Sequence, residues 1–222
     1  MKLIRPTSLA MTLDGIADAF FMEQSLTKSQ RNEVAQWIAH RQGQPGSYAG
    51  MFAPTKKDFQ QGCTVFTGER VRSGAATSHI LGEEACRTLL LLNVKQTSVR
   101  KALAQATAGI QQRLDDSSAA GFYCCGICSV SLWRHLMAGG LNRQRQHLRA
   151  GLKALKSHRI GNGEWRRFPF WYTLLALSEM NMTEAREEMQ YAAPVCQRYL
   201  RRQTLTGKFM IRRRLLAEEA LA

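Results

Sequence analysis

Residues 121–141 read GFYCCGICSVSLWRHLMAGGL. Within this stretch, 128–137 is apolar around most of a helical turn, and Gly139-Gly140 stops it. A helix of that kind belongs in an interior. The next segment, 143–158, is amphipathic and carries Arg143, Arg145, Arg149, Lys153 and Lys156. The contrast repeats outward in both directions. Apolar segments at 78–92 and 170–180 alternate with amphipathic ones at 29–41, 99–114 and 184–202. Segments 9–24 and 208–220 complete the helical pattern. Thr27 or Ser29 suits the N-cap of the segment that follows it, and Thr183 that of 184–202. No stretch alternates with a period of two for long enough to build a sheet. The chain therefore reads as all-α. We expect one helical-repeat domain over 1–222, with a long irregular loop at 42–73 and a basic C-terminal helix at 208–220. Alternation of the two helix kinds predicts an inner and an outer layer.

The linkers repeat as well. Arg41-Gln42 leads to Gly46-Ser47-Tyr48, Arg113 to Gly121-Phe122-Tyr123, and Arg159 to Gly163-Glu164-Trp165. The second and third glycines are 42 residues apart (163 − 121). A period near that length is the mark of stacked helical hairpins. An outer helix, a Gly-x-aromatic turn and an apolar inner helix resemble the repeats of the prenyltransferase and squalene-cyclase superfamily. The closest match runs from Gly121 through Ser129-Val130-Ser131-Leu132-Trp133 to Gly139-Gly140-Leu141, and 158–177 resembles the next repeat. The resemblance implies an α/α-toroid-like stack of helical hairpins. This chain is too short for a full toroid, so an incomplete ring is expected, with closure by dimerisation one route. It also implies a hydrophobic small molecule in a cavity lined by inner helices, met by Tyr48, Tyr123, Trp133, Trp165, Trp171 and Tyr172. The superfamily's catalytic signatures do not carry over. The Asp-x-Asp-Asp acid of the cyclases is absent. The places expected for the zinc-binding Asp and His of the protein prenyltransferases hold Gly126 or Ile127, and the aromatics and Pro of 168–172. No cofactor is expected, and whether a reaction is catalysed stays open.

Composition narrows the classes. Apolar residues make up 45% and charged residues 22% of 222, which excludes a disordered or collagen-like chain. The longest purely apolar run, 89–92, falls far short of the roughly 18–20 residues that span a bilayer. Asp14 and Asp18 interrupt the segment after the start, so no secretory signal is expected. Six cysteines scattered through a chain able to bury a core read as reduced thiols of a cytoplasmic protein. The net charge of +14 is concentrated: residues 134–214 hold 17 Lys plus Arg against 5 Asp plus Glu. Such a surface suits nucleic acid or another phosphate-bearing partner, or is simply a solvated helix face.

Four clusters carry candidate chemistry. His79 and Glu83 are four apart on an apolar helix, with Glu84 beside them. They read as a general base with its orienting carboxylate, or as a buried ion pair. Cys125-x-x-Cys128 has metal-ligand spacing but no second pair, so the alternative is small packing residues. The 42–73 loop reads as a lid over a cavity or as a cap on the first hairpin. Trp165-Arg166-Arg167-Phe168 interleaves aromatics with arginines, either to hold an anionic head group or as core rings beside solvated cations. The functions left in competition are a hydrophobic-ligand protein, a non-catalytic scaffold for a protein partner and a basic nucleic-acid-binding module.

Overall fold

The computed structural model describes residues 3–116, 122–201 and 206–222. Among them are ten helices and no strand beyond isolated bridges, so the protein is all-α. The helices are α1 (Leu9–Phe21), α2 (Lys28–Ala39), α3 (Lys56–Gln61), α4 (Gly74–Leu92), α5 (Thr97–Asp116), α6 (Gly126–Ala138), α7 (Gln144–Ser157), α8 (Phe170–Ser178), α9 (Thr183–Leu200) and α10 (Lys208–Glu219). None of the described helices is long and apolar enough to cross a membrane.

Burial alternates along the chain as the hydropathy predicts. Eleven of 19 residues of α4 are buried, 10 of 13 of α6 and 6 of 9 of α8. The intervening helices bury one narrow stripe each: 3 of 12 residues in α2, 5 of 20 in α5, 4 of 14 in α7 and 4 of 18 in α9. Thr27 caps α2, and Gln30 completes a capping box. Thr183 does not cap α9. It is the first helical residue, behind an N-cap Met182 that makes no side-chain bond. Pro169 precedes α8, where its fixed φ and missing N–H cost nothing.

The contacts divide the chain into two compact units. Unit 1 comprises Met1–Val65, Arg70–Ser118 and Ala138–Asn142. Its centre is α4, which packs against α1, α2, α3 and α5. The end of α4 is closed by Asn93 in the left-handed conformation and by the Arg31 guanidinium, which donates to the Leu92 carbonyl. Unit 2 comprises Phe66–Glu69, Ala119–Met137 and Arg143–Ala222. There α9 packs against α7, α8 and α10.

The 42–73 loop is more ordered than its composition suggests. It contains α3, which the sequence reading missed because one and a half turns show no periodicity. Residues 51–55 are all buried, with Met51, Phe52 and Ala53 at 0% exposure. Asp58 of α3 ties the loop to the start of α1. It accepts bonds from Ser8 Oγ (2.6 Å) and from the Leu9 and Thr55 backbone N–H groups (2.9 and 2.8 Å). The first part of the loop, residues 42–65, is thus a cap of unit 1 that contributes to its core.

Two linkers of the predicted repeat share a backbone design. His40-Arg41-Gln42-Gly43 and His158-Arg159-Ile160-Gly161 each open a turn closed by an antiparallel bridge, Gln42 with Phe52 and Arg159 with Trp165. Gly46 and Gly163 have φ of +89° and +93°, which an L side chain rarely adopts. Gly121, the glycine of the middle linker, lies outside the described residues.

Candidate functional sites

In unit 1, α4 presents His79 and Glu83 on one face, one turn apart. His79 Nε2 lies 3.3 Å from Glu83 Oε1, with the residues 1% and 0% exposed. The half-buried Tyr48 ring stacks on the His79 imidazole at 4.4 Å and 16°. The loop reaches α4 because Gly82 has no side chain. A Cβ there would come within 2.8–3.3 Å of the Met51 side chain. Glu84 is half-buried. The arrangement is a dry imidazole–carboxylate pair with an aromatic cover. Such a pair survives burial because each partner satisfies the other.

The remaining sequence-nominated aromatics belong to unit 2, and each has a packing partner. Trp133, 1% exposed, stacks on Phe168 at 5.5 Å and lies over Gly151 of α7, where any Cβ would overlap the indole. Tyr172 is fully buried beneath the Arg134 guanidinium. Trp165 donates its indole N–H to Glu188 Oε2 (2.9 Å). The half-buried Trp171 packs on Tyr199 at 4.4 Å. Tyr123 is buried, and its backbone N–H donates to Ser129 Oγ at the start of α6 (2.8 Å).

Cys125 and Cys128 also lie at that start, half-buried and buried, with the exposed Cys124 alongside. The Cys124 thiol is pushed up to about 11, first by its hydrogen bond with Cys125. Cys128 is raised by its bonds with Cys124 and Cys125 and then by burial. Burial chiefly raises Cys63 and Cys196 to about 11, the Asp58 charge adding to the rise at Cys63. The neutral thiol is therefore the stable form at all these positions near neutral pH. At pH 8 we expect Cys124 to react with iodoacetamide roughly a hundredfold more slowly than free cysteine, because only the thiolate attacks. The rate should climb until the pH passes about 11. Modification of Cys124 at the free-cysteine rate, followed by peptide mass analysis, would contradict that environment.

Several basic side chains of the C-terminal half are paired with carboxylates. Arg149, Lys156 and Arg159 meet Glu184, Glu187 and Glu188 of α9 at 3.3, 3.0 and 2.9 Å. Two arginines are interior, each 2% exposed. Arg134 on α6 donates twice to Glu179 (3.1 and 2.9 Å), and Arg212 donates to the Phe66 carbonyl (2.8 Å) over the Phe66 ring. The inner helices are thus not free of charge, as their hydropathy suggested. Glu188 has the largest part in this. At 1% exposure it takes a fork of two bonds from Arg159 (3.0 and 2.9 Å) besides the Trp165 indole. Its sequence signal was slight: three carboxylates at 184, 187 and 188 on the helix that follows a basic one.

Clefts open on the surface of each unit among the described residues. One, of about 560 Å³ in unit 1, is lined by Lys28, Arg31, Asn32 and residues 93–96. Another, of about 230 Å³ in unit 2, is lined by Ser157, His158, Arg159, Arg166 and Arg167. None of the sequence-nominated aromatics lines either cleft. Comparison with protein-family models, with curated proteins and with solved structures finds no match to this chain.

Proposed function

We propose that this protein binds a hydrophobic small molecule, held in unit 1 against Tyr48 and the buried pair of α4. The observation that carries the reading is the half-buried Tyr48 ring lying flat on a fully buried imidazole backed by a carboxylate. An aromatic face in partial contact with solvent offers a ligand apolar area, and the imidazole stacked beneath it holds that face in place. The fold proposal that goes with it is the α/α-toroid-like stack of hairpins implied by the resemblance to prenyltransferase and squalene-cyclase repeats. Alternating helix burial and the shared turn design at residues 40–43 and 158–161 support it. The reading assigns binding and no reaction.

The test is a thermal-shift and calorimetric titration of the full chain with a chain-length series of isoprenoid alcohols. Saturable binding that strengthens with chain length is expected, and Tyr48→Ala should weaken it at least tenfold. Tyr48→Phe should retain most of the affinity, since the ring makes the stack. Equal binding by wild type and Tyr48→Ala, or none at all, would end this reading.

A further inference from the structure

We propose that the turn between α7 and α8 forms a binding site for a phosphate monoester, independent of the unit 1 site. All five lining residues of the 230 Å³ cleft can engage an anion: Ser157, His158, Arg159, Arg166 and Arg167. Among the described residues no carboxylate lines it. Arg159 is neutralised and held in place by its two bonds to Glu188. Arg166 and Arg167 are exposed, and among the described residues neither guanidinium has a protein partner. They supply a net double positive charge, matching a phosphate dianion, in forks suited to its oxygens.

The backbone holds these side chains in place. The Arg166 N–H donates to the His158 carbonyl (2.8 Å), closing the bridged turn. Arg167 has φ of +68°, a conformation that glycine adopts far more readily. Its carbonyl is pressed so closely on Gly126 that a Cβ there would overlap it. An arginine at a position whose backbone favours glycine fits a role for its side chain. His158 is fixed too. Its Nδ1 meets the Ala154 carbonyl at 2.8 Å, and its ring stacks on Phe122 at 5.4 Å. Facing a carbonyl, Nδ1 is the donor in that contact, so Nε2 is the ring nitrogen available to a ligand.

The end of α7 raises a competing use for these cations, since helix C-termini attract positive charge. That need is met locally. Ser157 Oγ and His158 Nδ1 both satisfy the Ala154 carbonyl, and the backbone N–H groups of His158 and Arg159 satisfy Leu155 and Lys156. The two free arginines exceed what the helix end requires. The cleft, of about 230 Å³, has room for a phosphate group.

The experiment is calorimetric titration of the full chain with glycerol 3-phosphate, with inorganic phosphate, and by flotation with vesicles containing phosphatidic acid. Saturable binding of glycerol 3-phosphate is expected, lost at least tenfold in Arg166→Gln/Arg167→Gln. The control Arg145→Gln/Lys153→Gln removes the same charge from the face of α7 and should change affinity less than twofold. Arg167→Gly is a second probe: relief of its positive φ should leave the melting temperature unchanged or raised while binding falls. Vesicle binding that follows the same variants assigns the phosphate to a lipid head group. Binding of glycerol 3-phosphate without vesicle binding assigns a soluble ester. Equal losses in both double variants would overturn the site in favour of diffuse charge attraction. So would no saturable binding at millimolar ligand, or binding of a single-stranded oligonucleotide that outcompetes every monoester.

Discussion

Replacing Asp58 by alanine should cost unit 1 on the order of 3–5 kcal/mol, at roughly 1–3 kcal/mol for each buried donor left without a partner. The carboxylate is 2% exposed and gathers two segments. From the start of α1 it receives Ser8 Oγ and the Leu9 and Ala10 N–H groups, at 2.6, 2.9 and 3.4 Å. From the start of α3 it receives the Thr55 N–H at 2.8 Å, completing a capping box in which Thr55 Oγ1 accepts from the Asp58 N–H. Alanine orphans these donors where water has no access. It also removes a negative charge from the N-terminal ends of both helices, where the helix dipole favours it. Asp58→Asn should fall between, since its amide keeps one acceptor but turns an N–H₂ toward donors. For a chain of this length the alanine variant should melt roughly 10 °C lower or more. Thermal unfolding followed by circular dichroism decides it. A shift below about 2 °C would mean that α1 is not held by the loop.

Gly109→Ala should reverse the sign expected from helix propensity. In an isolated helix the change stabilises by about 1 kcal/mol. In α5 the new methyl would be driven into the Ala49 carbonyl oxygen. That oxygen belongs to backbone, and Ala49 is already at a φ of +51°, so neither side can give cheaply. The loop that buries Met51 and Phe52 would have to lift, and we expect destabilisation on the order of 3 kcal/mol. Gly15→Ala in α1 is the matched control. Nothing lies within 4 Å of its added Cβ, so the propensity gain should appear there undiminished. Urea unfolding of the two variants should give opposite displacements of the midpoint. Stabilisation by both would show that the loop does not rest on α5.

The residues that escaped the sequence reading have something in common. Asp58 sits in a helix too short to show a period, and its partners Ser8 and Leu9 are about 50 positions away. Glu188 looks like any exposed carboxylate of an amphipathic helix until Trp165 and Arg159 are placed beside it. Arg212 reads as one member of a basic run, yet it is buried, with a carbonyl partner 146 residues back. The Arg166-Arg167 pair was visible as an aromatic–arginine cluster. Its cleft was not, because Ser157 and His158 arrive from the other side of a turn.

From its sequence alone this protein is all-α, with apolar helices alternating with amphipathic ones and with recurring Gly-x-aromatic turns. Those properties follow from local periodicity and from backbone rules that act over a few residues. The pairing of His79 with Glu83 was legible for the same reason, since one helical turn separates them. The tertiary structure alone decided which charges are interior, that residues 42–65 cap unit 1 as part of its core, and where an unpaired basic cleft remains. Each of these depends on which distant groups meet. Contacts between residues tens of positions apart leave no period in the chain, and burial determines whether a charged side chain is paired or left to a ligand.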